Sequence, residues 1–289
     1  MILIDGKKAA AELRLELKEE VSELKQKYNQ VPGLTVILIG DLTPSQIYVR
    51  NKEKSANEVG LKSEVIKYPD SVEEKVILEK INELNNDKSV SGILVQLPLP
   101  KHIDKKKVIE AIDHTKDVDG FHPINVGKMA LNLPTYLPAT PAGILELITR
   151  YNIETSGKNC VVVGRSQIVG SPISILLSQN NKYANATVTL THSRTKNLHE
   201  LTKRADILIV ALGKAGFVKA EMVKKGACVI DVGITRVKSN KTKNGWKLLG
   251  DVDYENVSKK SSFITPVPGG VGPMTINTCL LYTSDAADE

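Results

Sequence analysis

The sequence predicts an α/β chain built from two doubly wound domains. Two observations carry this. Strand-like, β-branched runs alternate with segments of helical apolar spacing over residues 13–97, and the alternation resumes over residues 143–232. Such βαβ alternation implies parallel strands covered by helices. The chain has 289 residues, and at roughly 150 per domain that suits one large domain or two ordinary ones.

Leu13, Leu17, Val21, Leu24 and Tyr28 recur at spacings of three and four, the signature of an amphipathic helix. Pro32-Gly33 ends it. The run LTVILI at 34–39 reads as a strand buried on both faces. A helix is expected around 46–59, a strand around 64–67, a helix around 72–85 and a strand at 92–97. Residues 113–141 lack periodicity and are expected to be mostly loop. The second series starts with a helix at 143–151 and a strand at 160–163. A helix from Pro172 follows, then strands at 187–191, 207–211 and 228–232. The lysine-rich stretch 238–247 suits a solvated hairpin or loop.

Hydrophobic residues make up 41% and charged residues 25% of the chain, which supplies a core and excludes disorder. No stretch approaches the roughly 18 consecutive apolar residues of a membrane span. The first residues carry charges of both signs, unlike a signal or transit peptide. Lys and Arg exceed Asp and Glu by 39 to 33, and aromatics are only 4%. Stacking platforms for nucleic acid are therefore scarce, and the mild positive charge suits small anions instead. Cys160, Cys228 and Cys279 form no close pair, so a reducing compartment is expected, without a disulfide framework or zinc site.

The strand CVVV runs into Gly164-Arg165-Ser166-Gln167-Ile168-Val169-Gly170-Ser171-Pro172. Gly164 permits a sharp turn and Gly170 a close backbone approach. Ser171 is expected to cap the next helix and Pro172 to open it. That aims a helix N-terminus at the edge of a parallel sheet, where anions bind. A plain strand-to-helix turn would use the same residues. The next strand ends in THSRT, with Ser193 and Arg194 where an NAD site would carry an acid. Together with Arg165 these favour the 2′-phosphate of NADP, because a guanidinium binds phosphate oxygens as a fork. Gly213 and Gly233 each end a strand, and Ile234 follows the second. Those positions fall on the carboxyl edge, where ligands of open sheets sit.

In the first half, Tyr48 and Lys52 are four apart and share a helix face. Gln96 is an amide at the end of the apolar run GILVQLPLP, and Asp117 and Asp119 stand in KDVDGFHP. A buried amide needs a partner, so Gln96 meets either loop backbone or a ligand. TPVPGGVGP at 265–273 reads as a rigid loop with exposed backbone.

The motifs SQIYVRNKEKSANEVG, GILVQLPLP, KDVDGFHPINVG, ATPAGI, VVVGRSQIVGSP, HSRT, VIDVGI and ITPVPGGVGPMT follow one another over nearly the whole chain. In this order the sequence resembles the bifunctional methylenetetrahydrofolate dehydrogenase/methenyltetrahydrofolate cyclohydrolase family. The resemblance implies oxidation of 5,10-methylenetetrahydrofolate by NADP, then hydrolysis of the methenyl product to 10-formyltetrahydrofolate. It implies Lys52 as the catalytic lysine, Tyr48 stacked on the folate, Gln96 hydrogen-bonded to Lys52, and Asp119 gripping the pterin. Pro268, Gly269 and Gly270 would line the folate cleft. Gly164, Arg165, Ser166, Gly170, Ser193, Gly213 and Thr275 would surround NADP.

The family's cleft lies between a catalytic domain, here 1–140 with 270–289, and a Rossmann-type NADP-binding domain at 141–269. A cytoplasmic homodimer acting on tetrahydrofolate derivatives is implied, with no metal, membrane or nucleic-acid partner. Alternatives are another NADP-linked two-domain dehydrogenase, of amino-acid or shikimate type, and a non-catalytic NADP-binding regulator. At the far end CLLYTSDAADE matches one reading frame of a transposon-based sequencing adapter. The native sequence is therefore expected to stop near Thr278 and the remainder to be an assembly artefact, with Thr283-Ser284-Asp285 breaking the helix that would otherwise cover the first domain.

Overall fold

The structure, a computed structural model, describes residues 1–240, 242 and 245–288, and of Asp288 the backbone only. The chain divides into two compact units. One joins residues 1–10 to 140–275, the other 11–139 to 276–289. The chain opens with β1 (Ile2–Leu3) and α1 (Gly6–Tyr28).

The unit of 11–139 and 276–289 holds a three-stranded parallel sheet in the order β3-β2-β4, formed by β2 (Gly33–Ile39), β3 (Lys62–Tyr68) and β4 (Gly92–Val95). Every residue of the central strand β2 is buried. Its side chains alternate between two cores, as a strand covered on both faces must. Leu34, Val36 and Leu38 pack with Leu17 and Val21 of α1 and with Val49, Ala56 and Val59 of α2 (Thr43–Val59). Ile37 and Ile39 pack on the other face with Ile77 and Ile81 of α3 (Glu74–Asn86) and Val108 of α4 (Lys105–Ala111). Truncating a fully buried residue such as Ile81 to alanine costs about 2–5 kcal/mol. The expected α1 face is present through Leu24, but Tyr28 at its last turn is 45% exposed. Helix α2 stops at Gly60, whose left-handed φ of 89° lets its N–H reach back to Ala56 and Asn57.

The stretch expected to be loop contains α5 (Pro123–Ala130), and α6 (Ala139–Arg150) begins inside it. Proline and glycine hid α5. Pro123 occupies its first turn, where the missing N–H costs nothing, and His122 Nδ1 accepts the Ile124 N–H at 3.1 Å.

The other unit carries a six-stranded parallel sheet in the order β1-β11-β8-β7-β5-β6. Its strands are β5 (Asn159–Val163), β6 (Thr187–Thr191), β7 (Ile207–Val210), β8 (Cys228–Asp231) and β11 (Phe263–Ile264), besides β1. Helices α7 (Gly170–Ser178), α8 (Leu198–Lys203) and α9 (Tyr254–Val257) lie between strands in sequence. The hairpin of β9 (Thr235–Lys238) and β10 (Trp246–Leu249) is antiparallel. It covers part of the expected lysine-rich hairpin; residues 241, 243 and 244 of that stretch lie outside the described residues. The first ten residues differ from expectation. They belong to this unit because β1 pairs with β11, Ile2 opposite Phe263 and Leu3 opposite Ile264.

The proline- and glycine-rich segment at 265–273 is loop only to Gly270, where α10 (Val271–Asp288) begins. This helix corrects the expectation of a break at Thr283-Ser284-Asp285. Cys279 and Leu280 are buried in the core with α1 and α2, and Leu281 and Tyr282 pack against it. Thr283 and Ser284 are both fully buried. Thr283 is tolerated because its hydroxyl donates to the Cys279 carbonyl at 2.8 Å, and it seats against Gly92, where a Cβ would stand 2.8 Å from its Oγ1.

Candidate active site

The buried residues of α2 are Ser45, Val49, Lys52, Ala56 and Val59. Their spacing of four, three, four and three puts Lys52 on the apolar face of its helix. A lysine there is taken out of water along its whole length. Its Nζ stands 4.0 Å from Asp119 Oδ1, with side-chain exposures of 3% and 17%. It also lies 5.6 Å from the centroid of the half-buried Tyr48 ring. Burial pulls the Lys52 ammonium down, but the negative fields of Cys279, Asp119 and Tyr48 outweigh it and hold the group above its ordinary value. Burial pushes the Cys279 thiol up, and Asp119 is the carboxylate that stands beside the ammonium. Cys279 Sγ donates to Asp119 Oδ1 at 3.3 Å. Cys279 had no signal in the sequence, because it lies in a helix expected to end beside it.

Asp119 is presented by a loop that Asp117 holds. Asp117 is buried and accepts the His122 N–H at 2.7 Å and Asn125 Nδ2 at 3.1 Å. Burial raises its carboxyl to about 6 against these hydrogen bonds. Gly120 follows with φ 69°, and a Cβ there would lie 2.4 Å from the Leu137 carbonyl. The turn therefore admits only glycine. Gln96 follows β4 and donates from Nε2 to the Leu97 carbonyl at 2.9 Å. Its Oε1 is buried and has no hydrogen-bond partner among the described residues. The expected bond between Gln96 and Lys52 is thus not made. An unpaired buried amide oxygen is costly and marks a place for a donor.

The second group of expected residues lies in the other unit. Parallel register sets Val163 beside Thr191 and Val210, and Val210 beside Asp231. The segments after β5, β6, β7 and β8 therefore leave one carboxyl edge together. They carry Gly164-Arg165-Ser166, Ser193-Arg194, Gly213, and Gly233-Ile234 respectively. Gly164 has φ 119°, and a Cβ there would stand 2.2 Å from the Ala211 carbonyl. At Gly170 a Cβ would stand 1.8 Å from the Gly164 carbonyl, so the first turn of α7 folds tightly onto the loop. The capping expectation is corrected. Ser166 Oγ accepts the Val169 and Gly170 N–H groups at 3.2 and 3.3 Å, while Ser171 Oγ donates to the Arg165 carbonyl at 3.4 Å. Arg165, Ser193 and Arg194 are exposed. The Arg194 N–H is held by His192 Nδ1 at 3.1 Å, which shapes the turn that presents its side chain.

Pro268, Gly269 and Gly270, expected with the folate group, lie in this same unit. Part of the need for glycine there is packing. The Gly269 carbonyl accepts the Lys7 N–H at 3.1 Å, and a Cβ at Gly6 would lie 1.8 Å from the Gly270 carbonyl. Thr275 is tied at 3.0 Å to the Thr140 hydroxyl. Among the described residues no cluster of His, Cys, Asp or Glu suits a metal ion, and no helix is long and apolar enough to cross a membrane.

Residues 4–119 match the tetrahydrofolate dehydrogenase/cyclohydrolase catalytic domain, and residues 138–289 match the NAD(P)-binding domain of the same family. A bifunctional protein FolD from Cytophaga hutchinsonii is 55% identical over 287 residues, covering 99% of each chain. The crystal structure of the Campylobacter jejuni FolD methylenetetrahydrofolate dehydrogenase/cyclohydrolase superposes with TM-score 0.93 at 48% identity, covering 100% of this chain and 99% of that one. The Trypanosoma brucei methylenetetrahydrofolate dehydrogenase-cyclohydrolase, solved with NADP cofactor and an inhibitor, gives TM-score 0.95 at 36% identity, covering 100% and 97%.

Proposed function

The chain belongs to the tetrahydrofolate dehydrogenase/cyclohydrolase family, and on that premise we propose how its residues divide the work. It is a bifunctional enzyme of one-carbon metabolism. It oxidises 5,10-methylenetetrahydrofolate with NADP and hydrolyses the methenyl product to 10-formyltetrahydrofolate. Neither a shikimate-type dehydrogenase nor a non-catalytic regulator fits that membership.

The donor set on the carboxyl edge fits the cofactor. Arg165, Ser193 and Arg194 are exposed on adjacent strand ends with no acid among them, the chemistry of a 2′-phosphate site. Gly164, Ser166, Gly170, Gly213, Gly233, Ile234 and Thr275 complete the proposed binding set. When bound, NADP supplies the hydride acceptor, and the chain supplies alignment.

The observation that carries the catalytic reading is the buried pair of Lys52 and Asp119, 4.0 Å apart. Without substrate, Asp119 keeps Lys52 protonated. A pterin ring offers adjacent N–H donors that a carboxylate accepts as a fork. Once Asp119 is shared with the pterin and a cationic methenyl carbon lies beside Lys52, two forces lower the lysine's proton affinity. Lys52 then takes the proton from the attacking water and returns it as the ring opens. Tyr48 packs against the folate. Gln96 Oε1 accepts from Lys52 or substrate once the site is filled, and Pro268, Gly269 and Gly270 bound the substrate cleft. The protein acts as a cytoplasmic homodimer, a reading supported by the family resemblance and checked by light scattering. Mixing the protein with 5,10-methylenetetrahydrofolate and NADP tests the account of both steps. The methenyl absorbance rises and then decays; a methenyl signal that decays only at the rate seen without protein overturns the hydrolytic reading.

A further inference from the structure

Two carboxylates outside the residues assigned above are buried at the carboxyl edge of the six-stranded sheet. Asp251 is fully buried and Asp231 nearly so. Neither has an ion-pair partner among the described residues. Among the described residues each is held by backbone N–H groups alone. Asp251 accepts from Leu212 at 2.5 Å, Gly213 at 2.8 Å and Lys214 at 2.6 Å. Asp231 accepts from Gly233 at 3.0 Å, from Asp251 itself at 3.0 Å and from Val252 at 2.9 Å.

The chain around them is shaped to fit. A Cβ at Gly233 would stand 2.2 Å from the Asp251 carboxyl carbon, and one at Gly250 would stand 1.9 Å from Asp231 Oδ2. Both residues are glycine because a carboxylate occupies the space, so close approach of a ligand is not needed to explain Gly233. Gly213 differs. Nothing lies within 4 Å of its missing side chain, and its φ of 69° is left-handed. The loop after β7 therefore uses the left-handed turn that glycine permits without fixing it, and Asp251 fixes it with three hydrogen bonds. Burying two acids without a cation is costly, and the result of that cost is a rigid exit loop.

We propose that Asp251, itself seated by Asp231, is a positioning residue that sets the loop of Leu212, Gly213 and Lys214 for the dinucleotide and so controls NADP affinity without entering hydrolysis. This rests on the placement of Gly213 beside the cofactor. Asp251→Asn keeps the shape but turns an N–H toward donors, so three bonds cannot all survive. The KM for NADP then rises at least about tenfold, the scale of one lost charge-assisted hydrogen bond. Hydrolysis of 5,10-methenyltetrahydrofolate, which needs no NADP, stays within about twofold and reports that the variant is folded.

An unchanged KM for NADP in Asp251→Asn overturns the proposal. Gly213→Ala tells which premise failed: if it raises that KM, Gly213 meets the cofactor and only the role of Asp251 is wrong. If neither variant moves it, the cofactor placement is wrong as well. Should Asp251→Asn lose both activities together, hydrogen exchange of the wild-type enzyme decides. Protection of the Leu212, Gly213 and Lys214 amides comparable to β7 before NADP is added supports a preformed loop; free exchange until NADP binds overturns it.

Discussion

The Nζ of Lys52 stands 4.0 Å from Oδ1 of Asp119, with only 3% of the lysine side chain exposed. Burial and counter-charge therefore act on one group in opposite directions, and the counter-charge wins. A buried lysine held protonated in this way is a store of positive charge that ligand binding can release.

Asp119→Asn removes one of the groups that oppose burial at Lys52. The proton affinity of Lys52 falls below its wild-type level, read as a displaced pH midpoint of its Nζ resonance by heteronuclear NMR. The wild-type pair stabilises the fold at neutral pH and weakens only as pH rises past the ordinary lysine value of 10.5, since Lys52 is held above it. A Lys52 midpoint that does not move would show that Asp119 is not its counter-charge.

Gln96→Leu separates function from stability. It removes the buried, unpaired Oε1 along with the Nε2 bond to Leu97. The two changes are each worth about 1 kcal/mol and of opposite sign, so the melting temperature moves by less than about 4 °C. Methenyl hydrolysis falls by about a hundredfold. A large loss of stability with hydrolysis intact would make Gln96 a structural residue.

Arg165→Ala weakens NADP far more than NAD, because only NADP has the phosphate that a guanidinium reads. Titration of both cofactors checks this. Equal losses would move the 2′-phosphate away from Arg165.

Ser284 is fully buried and its hydroxyl has no partner among the described residues. Ser284→Ala removes the cost of that group and stabilises the protein by about 1–2 kcal/mol. Thermal melts reveal it as a higher melting temperature, and an unchanged or lower value would place a partner on the hydroxyl.

Asp117 gives a signed pH dependence. Its carboxyl is raised by burial from 3.8 to about 6, so the folded state holds a proton that the unfolded chain has lost. Stability from this group is present below pH 3.8 and declines as pH rises through that window. Asp117→Asn stays neutral throughout. Relative to that variant, the wild type is therefore more stable at pH 5 than at pH 7, as urea melts at the two pH values measure.

Local pattern made much of this legible. LTVILI announced a strand buried on both faces, whereas Tyr48 and Lys52, four apart on one helix face, read equally as surface residues, and the burial of Lys52 came only with the structure. The turn after β5 was readable because glycine and proline have local conformational meaning, although Ser166 and not Ser171 caps it. Where partners are distant in sequence, the reading ran out. The two-residue strand β1 is too short for any periodicity and is defined by pairing with β11. Asp251 receives its N–H donors from residues 37 to 39 positions away. The packing reason for glycine at Gly233 was hidden because the carboxylate that crowds it comes from another segment. Helix α10 runs on past Thr283 because its neighbours bury a hydroxyl that sequence pattern marked as a stop.

The measurement that bears most directly on the account is methenyl hydrolysis by Lys52→Arg. Arginine keeps the positive charge beside Asp119 but does not give up its proton. If Lys52 moves the proton of the attacking water, the rate falls at least about a hundredfold while NADP binding is unchanged. A rate within about fivefold of wild type would contradict the role assigned to Lys52, since loss of general acid–base catalysis costs far more.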